Sequence, residues 1–106
     1  MRIITRKTLL DYPDGLKGAD GPAVRSSLQA WVAETVRAQW KSSADVKASF
    51  ATASIVSADR VVFNIKGNDH RLVVSIKYGK GIVWIIWIGS HKAYDSIDVR
   101  TIRHGK

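Results

Sequence analysis

RVVFNIKGNDHRLVVSIKYGKGIVWIIWIGSHKAYD, residues 60–95, decides the fold. Val61–Lys66 alternates: Val61, Phe63 and Ile65 point one way, Val62, Asn64 and Lys66 the other. Arg71–Tyr78 alternates as well, with Leu72, Val74, Ile76 and Tyr78 against Arg71, Val73, Ser75 and Lys77. A period of two in β-branched residues predicts half-buried strands. Gly67-Asn68-Asp69-His70 between them predicts a tight turn. Ile82–Ile88 is continuously apolar between glycines, which predicts a central strand covered on both faces, with Trp84 and Trp87 on opposite sides. The two indoles are expected to pack in the core, although an aromatic on a sheet can also stack a base.

With Asn68-Asp69 as a two-residue loop, Lys66 stands opposite Arg71 and Asn64 opposite Val73. Two cations facing each other destabilise a strand pair. That leaves two readings: an anion site on the polar face, or a solvated face with a slipped register that separates the charges.

Outward from this stretch, Met1–Ile4 predicts an edge strand. Thr5 suits the cap of a helix through Tyr12, with Leu9 and Leu10 towards the core. Pro13–Pro22 predicts a loop, and Asp20 and Pro22 suit the start of a second helix. Val24, Leu28, Trp31, Val32 and Thr35 recur at helical spacing, so that helix is expected to reach about Trp40. Ser42 or Ser43 can cap a short third helix carrying Val46 and Phe50, and 51–59 leads into the sheet. The expectation is a single α+β domain over residues 1–106. The N-terminal strand and the helices pack on one face of a small, mainly antiparallel sheet, and the polar face stays open.

The chain carries a formal charge of +8, which favours polyanionic partners. The excess of Lys and Arg leans towards the sheet and tail. There is no cysteine, so no disulfide framework or thiolate metal site is available. No long apolar leader or membrane-length run is present, which predicts a cytoplasmic protein without a membrane partner. Glu34 is the sole glutamate, and neither HExxH nor Walker spacing occurs. No metal or other cofactor is expected.

Beyond the last strand, Gly89 lets the chain turn and His91 precedes Tyr94 by three residues. In a helix that spacing brings the side chains together. His91 is the only histidine that the sequence sets beside an acid–base partner. Cations, an imidazole, a phenol and amides around a sheet suit metal-free RNA cleavage: a base takes the 2′-OH proton, the oxygen attacks the phosphate, and Arg and Lys stabilise the charge that develops. The same composition suits a basic RNA binder without catalysis.

ADVKASF (44–50), RVVFNIKGNDHRLVVSIKY (60–78) and IGSHKAYDSID (88–98) resemble the HigB-type toxins of bacterial toxin–antitoxin modules, within the RelE/ParE group. MRIITRKTLL and the tryptophan-bearing helix also fit, so the resemblance covers nearly the whole chain. It implies a RelE-like microbial RNase fold and a ribosome-dependent endoribonuclease that cuts mRNA in the decoding site. It further implies neutralisation by a helix-turn-helix antitoxin of the HigA type. Asn64, Lys66, Gly67, Asn68 and Arg71 match one motif, and His91, Tyr94 and Asp95 the other. On that basis Lys66 and Arg71 hold the scissile phosphate, His91 is acid or base, and Tyr94 orients or stacks. Asn64 and Asn68 position RNA or shape the hairpin. Lys77, Lys92, Arg100 and Arg103 track the RNA backbone, and Asp95 is a local cap.

Two departures stand out. The Pro13–Pro22 loop is glycine-rich, and Ile86, expected opposite Val73, stands where members of the family often carry arginine. A missing cation there would weaken phosphate binding. Other members of the wider group act on different targets such as gyrase, so a toxin-fold protein with another target and a purely RNA-binding domain are the alternatives to an interferase.

Overall fold

A computed structural model describes residues 1–103. In chain order it runs β1 (Arg2–Ile4), α1 (Arg6–Asp11), a 3-10 turn (Tyr12–Gly15), α2 (Asp20–Arg37), α3 (Ser43–Ser49), β2 (Ser54–Ile55), β3 (Arg60–Ile65), β4 (His70–Lys77), a 3-10 turn (Tyr78–Lys80), β5 (Ile82–Ser90) and α4 (His91–Tyr94). One five-stranded sheet has the order β1-β5-β4-β3-β2. β1 joins β5 in parallel and every other pairing is antiparallel. The domain is α+β, with a topology compatible with a RelE-like toxin.

The alternation in 60–78 sets the main core. Val61, Phe63, Ile65, Leu72, Val74 and Ile76 point to one side and are buried with Val83 and Ile85 of β5. Against them α2 lays Val24, Leu28 and Trp31. Phe63 meets Trp31, Trp40 and Phe50, at centroid separations of 5.3, 6.2 and 5.1 Å. Trp31 is therefore a core residue, as its helical spacing suggested.

Several expectations need correction. Thr5 precedes α1 but does not cap it through its side chain. It adopts a left-handed φ of 64°, and its hydroxyl donates to the carbonyls of Ile4 (2.5 Å) and Ile85 (2.9 Å), tying the end of β1 to β5. Leu9 is buried, whereas Leu10 is 56% exposed, because a six-residue helix offers the core a narrow stripe. The Pro13–Pro22 segment contains a 3-10 turn, and α2 begins at Asp20 and stops at Arg37.

The first hairpin closes at Ile65–His70, so its loop is Lys66–Asp69 rather than Asn68-Asp69. Arg71 consequently faces Asn64, and Val73 faces Val62. The slipped register is the one adopted, and the two cations do not oppose each other.

In β5 the ladder has an irregularity. Val73 pairs with Trp87 and Val74 with Ile85, leaving Ile86 as an extra, unpaired residue in a β-bulge. Trp87, not Ile86, is the partner of Val73. Trp84 pairs with Ser75, two residues from Val73 on β4, so the bulge puts Trp84 and Trp87 on the same face instead of opposite ones.

That second face is not fully open. Val62 and Val73 are buried outside the main core, and Arg60 on the same face donates from Nη1 to the carbonyls of Val99 (3.2 Å) and Ile102 (2.6 Å). These bonds draw the C-terminal segment onto the sheet. Among the described residues no helix is long and apolar enough to cross a membrane.

Candidate nucleic-acid site

The site forms where the β3–β4 turn meets the end of β5. Gly67 takes a φ of 63°, the left-handed conformation that favours glycine, and Lys66 just before it takes 52°. Asn68 then folds back on Arg71. Its carbonyl accepts from Arg71 Nη1 at 2.8 Å and its side-chain oxygen accepts from Nη2 at 2.8 Å. Arg71 also reaches the carbonyl of His70 at 3.2 Å. Only 9% exposed, the guanidinium is held rigidly, and its net charge is not cancelled by a carboxylate among these partners.

The strand end supplies the imidazole. Gly89 pairs with Arg71 across β4–β5 and lies under the Trp87 ring. Ser90 caps α4, its Oγ accepting from the Ala93 amide at 3.0 Å. His91 opens the helix, and its backbone N–H bonds to the Asp69 carbonyl at 2.8 Å, locking helix and turn together. Arg71 Nη2 donates to His91 Nδ1 at 2.7 Å. An arginine can only donate, so Nδ1 presents its lone pair and the ring proton sits on Nε2. A cavity of about 480 Å³ opens here, lined by Asn68, Asp69, His70, His91 and Lys92 among others. A separate apolar groove of about 290 Å³ between α1 and α2 carries Arg6 and Arg25 at its rim.

Behind the turn lies a network the sequence did not reveal. His70 is 3% exposed; its Nδ1 meets the Tyr12 hydroxyl at 2.7 Å and its Nε2 the Asp20 carboxylate at 3.0 Å. The other oxygen of Asp20 bonds the Lys66 ammonium. The Lys66 bond, aided by His70, holds the Asp20 carboxyl below its ordinary range, and Asp20 in turn raises Lys66. Burial pushes the Tyr12 phenol up. His70 thus has a closer acid–base partner than His91, contrary to the sequence reading. A histidine at the first position of a strand, on the core face, was the available signal.

The expected site residues divide. Arg71 and His91 come together, with Asn68 shaping the turn and Lys92 at the cavity rim. Asn64 is the register partner of Arg71. Tyr94 lies beside Trp87, with ring centroids 6.3 Å apart and planes tilted by 50°. Lys66 does not join the pair. Its left-handed backbone reverses the strand alternation, Ser27 Oγ accepts its N–H at 2.9 Å, and its ammonium serves Asp20 and Asp69. Lys77 lies at the far end of β4, six residues from Arg71 and therefore about 20 Å away. Arg100 and Arg103 are exposed on the tail. Residues 104–106, which include His104 and Lys106, lie outside the described residues. Among the described residues no cluster of three or more His, Cys, Asp or Glu side chains could hold a metal ion.

No curated protein matches the chain. A family model does: HigB_toxin, described as the RelE-like toxic component of a toxin–antitoxin system, matches residues 24–97, well over half the chain and all of the Arg71–His91 geometry. Membership implies an antitoxin as partner. The chain belongs to the HigB family of RelE-like toxins, and its role is that of the toxin in a toxin–antitoxin system.

Proposed function

We propose that this toxin is a metal-independent, ribosome-dependent endoribonuclease that cuts translated mRNA in the decoding site and arrests translation in the cytoplasm. The observation that carries the reading is the 2.7 Å contact between a buried guanidinium and the Nδ1 lone pair of an exposed imidazole. The imidazole lines the cavity, and the guanidinium touches it there. A phosphate entering there would draw Arg71 Nη2 onto its oxygen and free Nδ1 as a base for the adjacent 2′-OH. The 2′-oxygen then bonds to phosphorus, the bond to the 5′-oxygen breaks, and that oxygen takes a proton from the imidazolium or from Lys92. Arg71 stabilises the charge gained by the phosphate in the transition state. Asn68 keeps the guanidinium aimed, Asn64 contacts RNA beside it, and Tyr94 on Trp87 offers a stacking surface. Lys92, Arg100 and Arg103 track the RNA backbone. Lys66 supports the turn rather than the phosphate. The partner that restrains the activity is a helix-turn-helix antitoxin of the HigA type.

Mapping new mRNA 5′ ends minutes after induction, with His91→Ala and Arg71→Ala alongside, tests this. Cuts inside translated frames are expected, falling by about 10²–10⁴-fold in His91→Ala, the usual cost of losing a general acid–base group. Thermal unfolding of each variant checks that it is folded. Growth arrest without cuts would refute the nuclease and direct attention to a different target.

A further inference from the structure

The bulge at Ile86 does more than shift a register. It brings two indoles to one face of the sheet, opposite Ser75 and Val73, which are two residues apart on β4 and so about 7 Å along the strand. Trp87 lies next to the Arg71–His91 pair, over Gly89 and against Tyr94. Trp84 lies farther from the site and is 40% exposed, the largest aromatic surface offered by the sheet. Its neighbours on that face follow from the pairing. Ile4 is its partner on β1 and Ser75 its partner on β4; one pair further along, Arg2 and Lys77 both flank Ile82. Arg2 and Lys77 are exposed. The nearby acid, Asp59, is satisfied by the hydroxyls of Ser75 (2.7 Å) and Ser57 (3.2 Å), which keep its carboxyl below the ordinary range.

An exposed indole one pair along from two cations is the chemistry of single-stranded nucleic acid: a base stacks on the ring while phosphates pass the ammonium and guanidinium groups. We infer that Trp84, with Lys77 and Arg2, forms a second RNA subsite that stacks a base beyond the one at Trp87 and Tyr94, extending the track along β5 away from the cleavage site. The inference rests on RNA being the ligand of the Arg71–His91 site. It gives Lys77 a role despite its distance from that pair.

The test is binding of a fluorescein-labelled, fully 2′-O-methylated oligouridine 8-mer, which cannot be cleaved, followed by anisotropy. Trp84→Ala should weaken binding about tenfold, within the range for removal of one stacking aromatic. Trp84→Phe should restore most of it. Lys77→Ala should lower the slope of log affinity against log salt by about 0.7, the value for one single-strand phosphate contact. Ile55→Ala, on the opposite edge strand, should change nothing. Equal affinity for wild type and Trp84→Ala, or no binding by wild type, would overturn the subsite. So would a Trp84→Ala protein that keeps its RNA affinity but no longer holds the antitoxin, since the patch would then belong to a protein partner. Failure here is separable from failure of the nuclease reading. Trp84-dependent binding without cuts in cells removes only the cleavage; cuts with Trp84-independent binding remove only the subsite.

Discussion

Replacing Gly89 by alanine should dislodge the Trp87 indole, and the cost can be worked from the geometry. A Cβ on Gly89 would lie 2.5 Å from both Cη2 and Cζ2 of Trp87 and 3.3 Å from Cζ3. Carbon atoms prefer 3.5–4.0 Å, so two contacts are about 1 Å too short. Gly89 is not in the left-handed region, and the clash is with a side chain, so the entire penalty belongs to the ring. The indole must rotate away and give up Tyr94. Overpacking of this kind costs about 1–3 kcal/mol; at about 2 kcal/mol, a domain of this size should lose roughly 8–16 °C in Tm. Urea unfolding of a double-mutant cycle isolates the cause. Trp87→Ala alone should cost roughly 2 kcal/mol, half the core value, because the ring is half-buried. In that background Gly89→Ala should become neutral within about 0.5 kcal/mol. If it remains as destabilising as in the wild type, the glycine is there for the backbone and the reasoning is wrong.

Two further outcomes follow from contacts outside the Arg71–His91 pair. Arg60→Ala should release the C-terminal segment. Bonds from a charged donor to two carbonyls are worth about 2 kcal/mol here, so trypsin cleavage at Arg100 and Arg103 should run near thirtyfold faster; an unchanged rate would show that the tail is held by other contacts. Asp20→Asn should lower stability at neutral pH and flatten its pH dependence on both sides. Asp20 is depressed in the fold, so its contribution is present above its ordinary 3.8 and fades as pH falls through the folded value. Lys66 is raised, so its contribution is present below 10.5 and fades as pH rises through the folded value. Urea midpoints at pH 3, 7 and 11 read both limbs, and a variant that keeps the wild-type profile would refute the pairing.

What could be read in the sequence was whatever had a period. The strands at 60–65 and 70–77 and the α2 stripe each repeat an apolar position, and burial follows a repeat directly. Arg71 and His91 were legible for a different reason, since each stands in a short motif of polar residues where a strand or turn ends. The bulge was hidden because IVWIIWI is apolar throughout, and an inserted residue in such a run leaves no polar marker of its own. The loop length failed for a related reason: of Lys66-Gly67-Asn68-Asp69, three residues tolerate a left-handed conformation, and the turn used Gly67 together with Lys66, the one that does not ordinarily tolerate it. These two local choices redistribute the chemistry. A left-handed Lys66 sends one cation to Asp20 on the helical side and leaves Arg71 alone to face the imidazole. An unpaired Ile86 turns Trp87 onto the same face, above Gly89 and beside that pair. The arrangement of the candidate site is thus a product of two irregularities in an otherwise regular hairpin and ladder, which is why the departure of Lys66 and the approach of Trp87 could not be read from the sequence.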